Sequence, residues 1–259
     1  MPGGTYCTAQ RLEVVMNTLA QNKADLNLWL GDLVDRGHVD SYESIDTASS
    51  KAAISGDFFV TPGNHDIRKA LHDEVRSDSP NTQCVDGSRT HYLIRRGKHH
   101  IFVLDSAPER KFEATGAATN LPEFGKVGYE WLKGALDSMG PDAAAWIFTH
   151  YPANNFDQSW ITSSAIMSDG EDLHALLVAH QSKVGGVFSG HLHHAFFWRR
   201  DDINYHSLIP ASMALTLDKS EGGVKIVENP QGFPGVEALV LRGPGNYVMQ
   251  SFDISSSPK

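Results

Sequence analysis

The sequence predicts an α/β fold, with short apolar strands alternating with amphipathic helices up to residue 195 and strands alone beyond it. Three observations carry this expectation. Short apolar runs stop at Gly or Pro, as in ADLNLWLGD and DFFVTPGN, which is how strands end. Between several of them, apolar residues recur at spacings of three and four, the period of a helix with one buried face. After residue 195 only strand-like segments follow. Alternation of strand and helix predicts parallel pairing, and the β-rich end predicts a second sheet packed against the first.

In chain order, QRLEVVMNTLAQN places Leu12, Val15, Met16 and Leu19 on one helical face. ADLNLWLGD is a strand that stops at Gly31, and DFFVTPGN is a second that ends at Pro62-Gly63. DIRKALHDEV is expected to be helical. THYLIRRGKHHIFVLDS reads as two strands around Gly97. GYEWLKGALDSM puts Trp131, Leu132, Ala135 and Leu136 on one helical face. AAAWIFTH is a buried strand, EDLHALLVAH a helix with Leu173, Leu176 and Leu177 inward, and VGGVFSGH another strand. The β-rich end comprises AFFWRRDDINYHSLI, GVKIVE, VEALVLRG and NYVMQSFDI.

A chain of 259 residues that is 41% hydrophobic can bury one large core. With no repeat or low-complexity linker, a single domain over residues 1–254 is expected, with 255–259 (SSSPK) as a disordered tail. The net charge of -9 makes a nucleic-acid polymer or an anionic membrane a poor electrostatic partner. No apolar run reaches the roughly 18 residues of a membrane helix. If the substrate is a phosphate ester, bound cations must reverse the local sign. Cys7 and Cys84 give no disulfide framework and are expected to be unpaired. The opening MPGGTYCTAQ has neither a basic start nor an apolar stretch, so a cytoplasmic location is expected.

Polar clusters fall where the apolar strands terminate: GDLVDRG (31–37), GNHD (63–66), THYP (149–152) and GHLH (190–193). Sites in α/β sheets form outside the carboxyl ends of strands, so four such ends can converge. Glycines at 31, 63 and 190 let backbone approach a ligand closely. Asp32 offers carboxylate oxygens, Asn64 an amide oxygen, and His150, His191 and His193 ring nitrogens. A mixed N/O donor set suits Mn, Fe, Zn or Ni, and the missing thiolates argue against a structural zinc knot. If residues 191–194 are extended, His191 and His193 share a face and His194 points away. Asp66 reads as a helix-start charge or a partner of the ligands. The remaining histidines, His174 and His206 among them, are expected to be structural or superficial.

The order GD, GNHD, H, GHxH resembles the signature of the calcineurin-like metallophosphoesterases, over residues 31–193. The resemblance implies a four-layer α/β/β/α sandwich and a binuclear centre of two divalent or trivalent ions, such as manganese or iron. It implies Asp32 as the bridging carboxylate, Asn64, His150 and His191 on one ion, and His193 on the other. It implies hydrolysis of a small phosphoester by a hydroxide held between the ions. His65 corresponds to the family's non-ligand histidine near the leaving oxygen, Asp35 to the carboxylate that orients it, and Arg36 to a phosphate contact. His194 is a further substrate-binding candidate. The family also begins with a strand ending in D-x-H, and residues 1–30 contain no histidine. The expectation is therefore a sandwich lacking its first strand, with the chain starting just after that motif. The alternatives are a natural one-metal or inactive relative, or substitute ligands such as Tyr6 or Cys7.

At a finer level, GNHDIRKAL, FVLDS, GYEWLKGAL and GHLHHAFFWRRDDINYHSLIPAS resemble the class III cyclic nucleotide phosphodiesterases. This implies a phosphodiesterase, with a cyclic nucleotide among the candidate substrates. GDLVDRG also matches the Ser/Thr protein phosphatases, which lack the GHxH pair. Purple acid phosphatases use an extra tyrosine ligand, and Tyr42 lies too far past Asp32 for that role. A phosphomonoesterase of the same superfamily and a non-catalytic scaffold remain the alternatives. The oligomeric state is open, a homodimer being one option.

Overall fold

The longest apolar runs become the centre of a seven-stranded sheet. The computed structural model describes residues 9–33, 47–48, 51–54, 56–66, 82–84, 91–107, 123–153, 161, 165–208, 215–220, 223–228 and 235–253. Strands β3 (Thr82–Cys84), β4 (Tyr92–Arg96), β5 (His99–Leu104), β6 (Ala144–Thr149), β7 (Val184–Ser189), β8 (Phe196–Arg200) and β9 (Ile203–Ser207) run in the order β3-β4-β5-β6-β7-β9-β8. The predicted parallel pairing holds for β5–β6, β6–β7 and β7–β9. Every residue of β6 and β7 is buried, as expected of parallel strands covered on both faces.

One face of this sheet is covered by helices. In α2 (Gly125–Ser138), Leu132 and Leu136 are fully buried. In α3 (Gly170–Ala179), Leu173, Leu176 and Leu177 turn inward as the spacing predicts. These side chains meet Phe102, Leu104, Ile147 and Val187 from the sheet in one apolar cluster. The other face packs against two-stranded ribbons. The parallel pair β1 (Leu26–Trp29) and β2 (Asp57–Val60) contributes Leu26, Leu28 and Phe59. The antiparallel hairpin of β12 (Gly235–Gly243) and β13 (Asn246–Asp253) contributes Leu239, Leu241 and Tyr247. All pack on Ile101, Val103, Trp146, Phe148 and Phe188. The period-two alternation of β1 and β2 sends Trp29 and Val60 the opposite way, against Met16 and Leu19 of α1 (Ala9–Asn22). The layers are therefore helices, seven-stranded sheet, ribbons and helix, which is the expected α/β/β/α sandwich. Strands β10 (Leu215–Ser220) and β11 (Gly223–Glu228) form a separate hairpin.

One expectation changes. The segment 195–209 yields two strands around an Asp201-Asp202 turn, and both join the first sheet instead of starting the second. Both aspartates have positive φ, +46° and +61°, a conformation that Asp tolerates better than most residues. Residues 67–75 of the predicted DIRKALHDEV helix lie outside the described residues, as does the 255–259 tail. Among the described residues, no helix is long and apolar enough to cross a membrane.

Several histidines expected to be structural are so. His174 of α3 is buried between the Tyr205 hydroxyl (2.7 Å from Nδ1) and the Asp201 carboxylate (2.9 Å from Nε2). The carboxylate only accepts, so Nε2 donates to it, and Nδ1 accepts from Tyr205 in the neutral ring. His206 of β9 stacks on Phe188 at 5.1 Å and hydrogen-bonds with the Tyr247 hydroxyl, tying β13 to the main sheet.

Burial pushes the His206 imidazole down to about 4. The unfolded ring takes its proton near the ordinary value of about 6.5. Between these values the unfolded chain binds the extra proton, so folding stability falls as pH drops through that window. Thermal melts from pH 7 to pH 4 should show this loss, and His206→Gln should flatten it. A parent and variant with the same pH slope would contradict this assignment.

Candidate metal centre

Four chain segments converge at one point, each leaving the carboxyl end of a strand. Gly31 and Asp32 follow β1, Asn64 and His65 follow β2, His150 follows β6, and His191 follows β7. Ligand-capable atoms of Asp32, His150 and His191 lie within 4.8 Å of one another. The Asn64 side-chain oxygen is 3.0 Å from Nε2 of His150.

The orientation of His150 decides what this cluster can do. Its Nδ1 is 2.7 Å from the Leu30 carbonyl. A carbonyl only accepts, so Nδ1 carries the proton and donates. In the neutral ring, Nε2 is then a bare lone pair. It faces Asn64 Oδ1 at 3.0 Å, Asp32 Oδ2 at 3.3 Å and His191 Nδ1 at 3.2 Å. Turning the Asn64 amide over, or placing the His191 proton on Nδ1, would offer Nε2 one proton and still leave the Asp32 carboxylate facing filled lone pairs. Acceptors gathered this closely repel unless a positive charge sits among them. Either a proton or a cation can supply it, and the mixed N/O donor set fits a borderline divalent ion.

The ionisation of the group follows. Burial alone would raise the Asp32 carboxyl, but the charge and hydrogen bond of His150, with help from His65, hold it well below the usual carboxylate range. Burial alone would lower His150, but Asp32, the Leu30 carbonyl and Asp66 raise it above its ordinary value. His191 falls well below its ordinary value through burial and then His150. It is therefore a neutral imidazole with a lone pair available.

Backbone geometry brings these groups together at some cost. Asp32, His191 and His193 have φ of +51°, +65° and +51°, values rare for residues with a Cβ and typical of functional sites. Glycine is required beside them. A Cβ on Gly31, itself at φ +83°, would lie 2.3 Å from His150 Nδ1, and one on Gly63 would lie 2.1 Å from the Asp32 nitrogen. The GNHD turn is tied down at both ends: the His65 N–H donates to Asp32 Oδ1 at 2.8 Å, and the Gly63 N–H donates to Asp66 Oδ2 at 2.9 Å. Asp66 is thus a buried partner of the turn.

The segment after β7 differs from its expected form. Residues 191–194 are a run of bends instead of an extended strand, so alternation along a strand does not orient His191 and His193. His193 is outside the compact three-residue group, though near enough for its charge to depress His191. His194 packs on Phe196 at 4.4 Å, and its carbonyl accepts from the Ser207 hydroxyl at 2.9 Å. Asp35 and Arg36 lie outside the described residues, as do Tyr6, Cys7 and Tyr42.

Three contributors are not apparent from the motifs. The Leu30 carbonyl is backbone and leaves no side-chain signature. Ser106 accepts hydrogen bonds from the Tyr151 N–H at 2.9 Å and the Thr149 hydroxyl at 2.6 Å, bracketing His150. Tyr151 places its ring 4.0 Å from that of His191. Only its presence within THYP, directly after a candidate ligand, could have flagged it.

Gly63→Ala should displace Asp32 and destabilise the protein by about 1–3 kcal/mol, the usual cost of overpacking. Urea denaturation measures this, and an unchanged midpoint would mean the turn yields freely.

The calcineurin-like phosphoesterase family matches residues 5–195 of the chain. A 3',5'-cyclic-nucleotide phosphodiesterase of Nostoc sp. (strain PCC 7120) is 26% identical over 200 residues, which cover 76% of this chain and 67% of that protein. A probable cyclic nucleotide phosphodiesterase of Rhodococcus erythropolis is 23% identical over 190 residues, covering 71% of this chain and 57% of that one. The fold is similar to a dimetal phosphatase from Danio rerio, with a TM-score of 0.62 and 14% identity, over 93% of this chain and 88% of that one. It is also similar to a purple acid phosphatase from yellow lupin seeds, with a TM-score of 0.67 and 12% identity, over 96% of this chain and 48% of the other. With the family match spanning most of its length and the four motifs within it meeting at one point, the chain belongs to the calcineurin-like phosphoesterases.

Proposed function

We propose that this chain is a metal-dependent phosphodiesterase acting on a small phosphodiester, with cyclic nucleotides among its substrates. The observation that carries the reading is the aim of His150: with Nδ1 committed to Leu30, its Nε2 faces Asn64 Oδ1, Asp32 Oδ2 and His191 Nδ1 at 3.0–3.3 Å. Asp32, Asn64, His150 and His191 would hold one cation, and Asp32 with His193 a second. Mn, Fe, Zn or Ni suits these donors. When bound, such ions polarise phosphoryl oxygens and bring the pKa of water down towards about 7.

The residues of the chain supply the rest. Hydrolysis joins a water oxygen to phosphorus and breaks the bond to one ester oxygen. That oxygen departs as an alkoxide and needs a proton. His65 is the proposed donor, its backbone held against Asp32 at 2.8 Å, and Asp35 is proposed to orient its ring. Arg36 and His194 are proposed to contact the phosphate. The Nostoc and Rhodococcus relatives support the cyclic-nucleotide choice by their names.

Bis(p-nitrophenyl) phosphate and p-nitrophenyl phosphate should be compared with Mn²⁺ present, followed by 3',5'-cyclic AMP and GMP. The diester should turn over faster; a strong monoester preference would overturn the diesterase assignment. Bound Mn²⁺ with no turnover of any ester would favour the scaffold alternative. His65→Ala should retain metal and lose about 10²–10⁴-fold in turnover, the usual contribution of a general acid. Unchanged turnover would remove His65 from the mechanism.

A further inference from the structure

The Tyr151 ring lies beside both imidazoles that face the centre of the site. Its centroid is 4.0 Å from that of His191, with the planes 36° apart, and 5.2 Å from that of His150, edge-on at 89°. Tyr151 is only 5% exposed, so the wall it forms is packed and has little room to move. His191 has no strand to hold it, since it opens a run of bends at φ +65°. A left-handed non-glycine residue persists only where its surroundings over-determine it. The neighbouring His150 nitrogen, 3.2 Å from His191 Nδ1, is a single contact and leaves the tilt of the His191 ring to its other neighbours.

Tyr151 is itself anchored from the next strand. Its N–H donates to Ser106 Oγ at 2.9 Å, and the same oxygen accepts from the Thr149 hydroxyl at 2.6 Å. Ser106 follows the end of β5, which pairs with β6 in parallel register up to Leu104 and Thr149. The residues before and after His150 thus hang on one buried hydroxyl. The Tyr151 backbone is thereby tied to the ends of two paired strands.

We propose that Tyr151 is a positioning residue whose ring face sets the direction from which the His191 nitrogen enters the metal centre. The inference rests on the reading of Asp32, Asn64, His150 and His191 as ligands. Its role is to orient a ligand, and partners of that kind usually affect metal affinity by about 10–100-fold.

The test is cobalt binding by calorimetry, with the visible absorption of bound Co²⁺ as a second readout. Tyr151→Leu should weaken affinity by about 10–100-fold and shift the cobalt bands. Tyr151→Phe keeps the ring and should bind close to the parent value. Leu136→Ala, in the core under α2, should lower the melting temperature while leaving cobalt affinity alone. This separates a positioning effect from loss of stability. Parent-like affinity in Tyr151→Leu, or an equal loss in Tyr151→Phe, would overturn the inference. A parent protein that binds no cobalt would overturn the ligand reading and this inference with it.

Discussion

The arrangement of the site depends on one hydrogen bond, from His150 Nδ1 to the Leu30 carbonyl. It fixes the tautomer of a buried ring and so decides that Nε2 presents a lone pair to its neighbours. The bond also spans layers, because Leu30 leaves β1 in the ribbon layer and His150 leaves β6 in the seven-stranded sheet. Gly31 must be glycine so that the two segments can approach this closely. Without that approach, Asp32 and Asn64 would stand near His150 with no particular aim. With it, they and His191 point at the same small volume.

The electrostatics of the centre follow from burial on one side and pairing on the other. Asp32 stays ionised although buried, because His150 compensates it. His191 stays neutral, because burial and its charged neighbour both oppose protonation. With its one carboxylate compensated by the charge of His150, the centre carries little negative charge of its own. In a chain with a net charge of -9, this limits the local repulsion that an anionic phosphoester would meet. Bound cations would turn it into attraction.

Much of this was legible in the sequence, and the reason is periodicity. AAAWIFTH and VGGVFSGH are apolar throughout, and they became the two fully buried strands at the middle of the sheet. The helices carrying Leu132 and Leu173 were equally plain. The short strand β3 was not, since Thr82–Cys84 reads as polar loop and pairs only because β4 offers an edge. The β8–β9 reversal lacked the usual glycine, although Asp201-Asp202 can take the same conformation. Asp32, Asn64, His150 and His191 gather at one point, and the spaced motifs at strand ends are the signal that singles them out. The bends at 191–194 were missed, because left-handed histidines are imposed by tertiary contacts that no local pattern encodes. The supporting atoms of Leu30 and Ser106 belong to the same class.

The seam between the two β layers has a mechanical consequence. Asp32 and Asn64 stand on the ribbon side of it, and His150 and His191 on the main-sheet side. A cation gripped by all four would act as a rivet, joining layers that also meet through apolar packing, hydrogen bonds such as Thr61 to Leu104 and the Arg96–Asp57 ion pair. Slippage of one layer over the other would then pull the rivet apart, and occupancy of the centre would report on how well the sandwich is seated. Ion supply and structural integrity would be coupled through that joint.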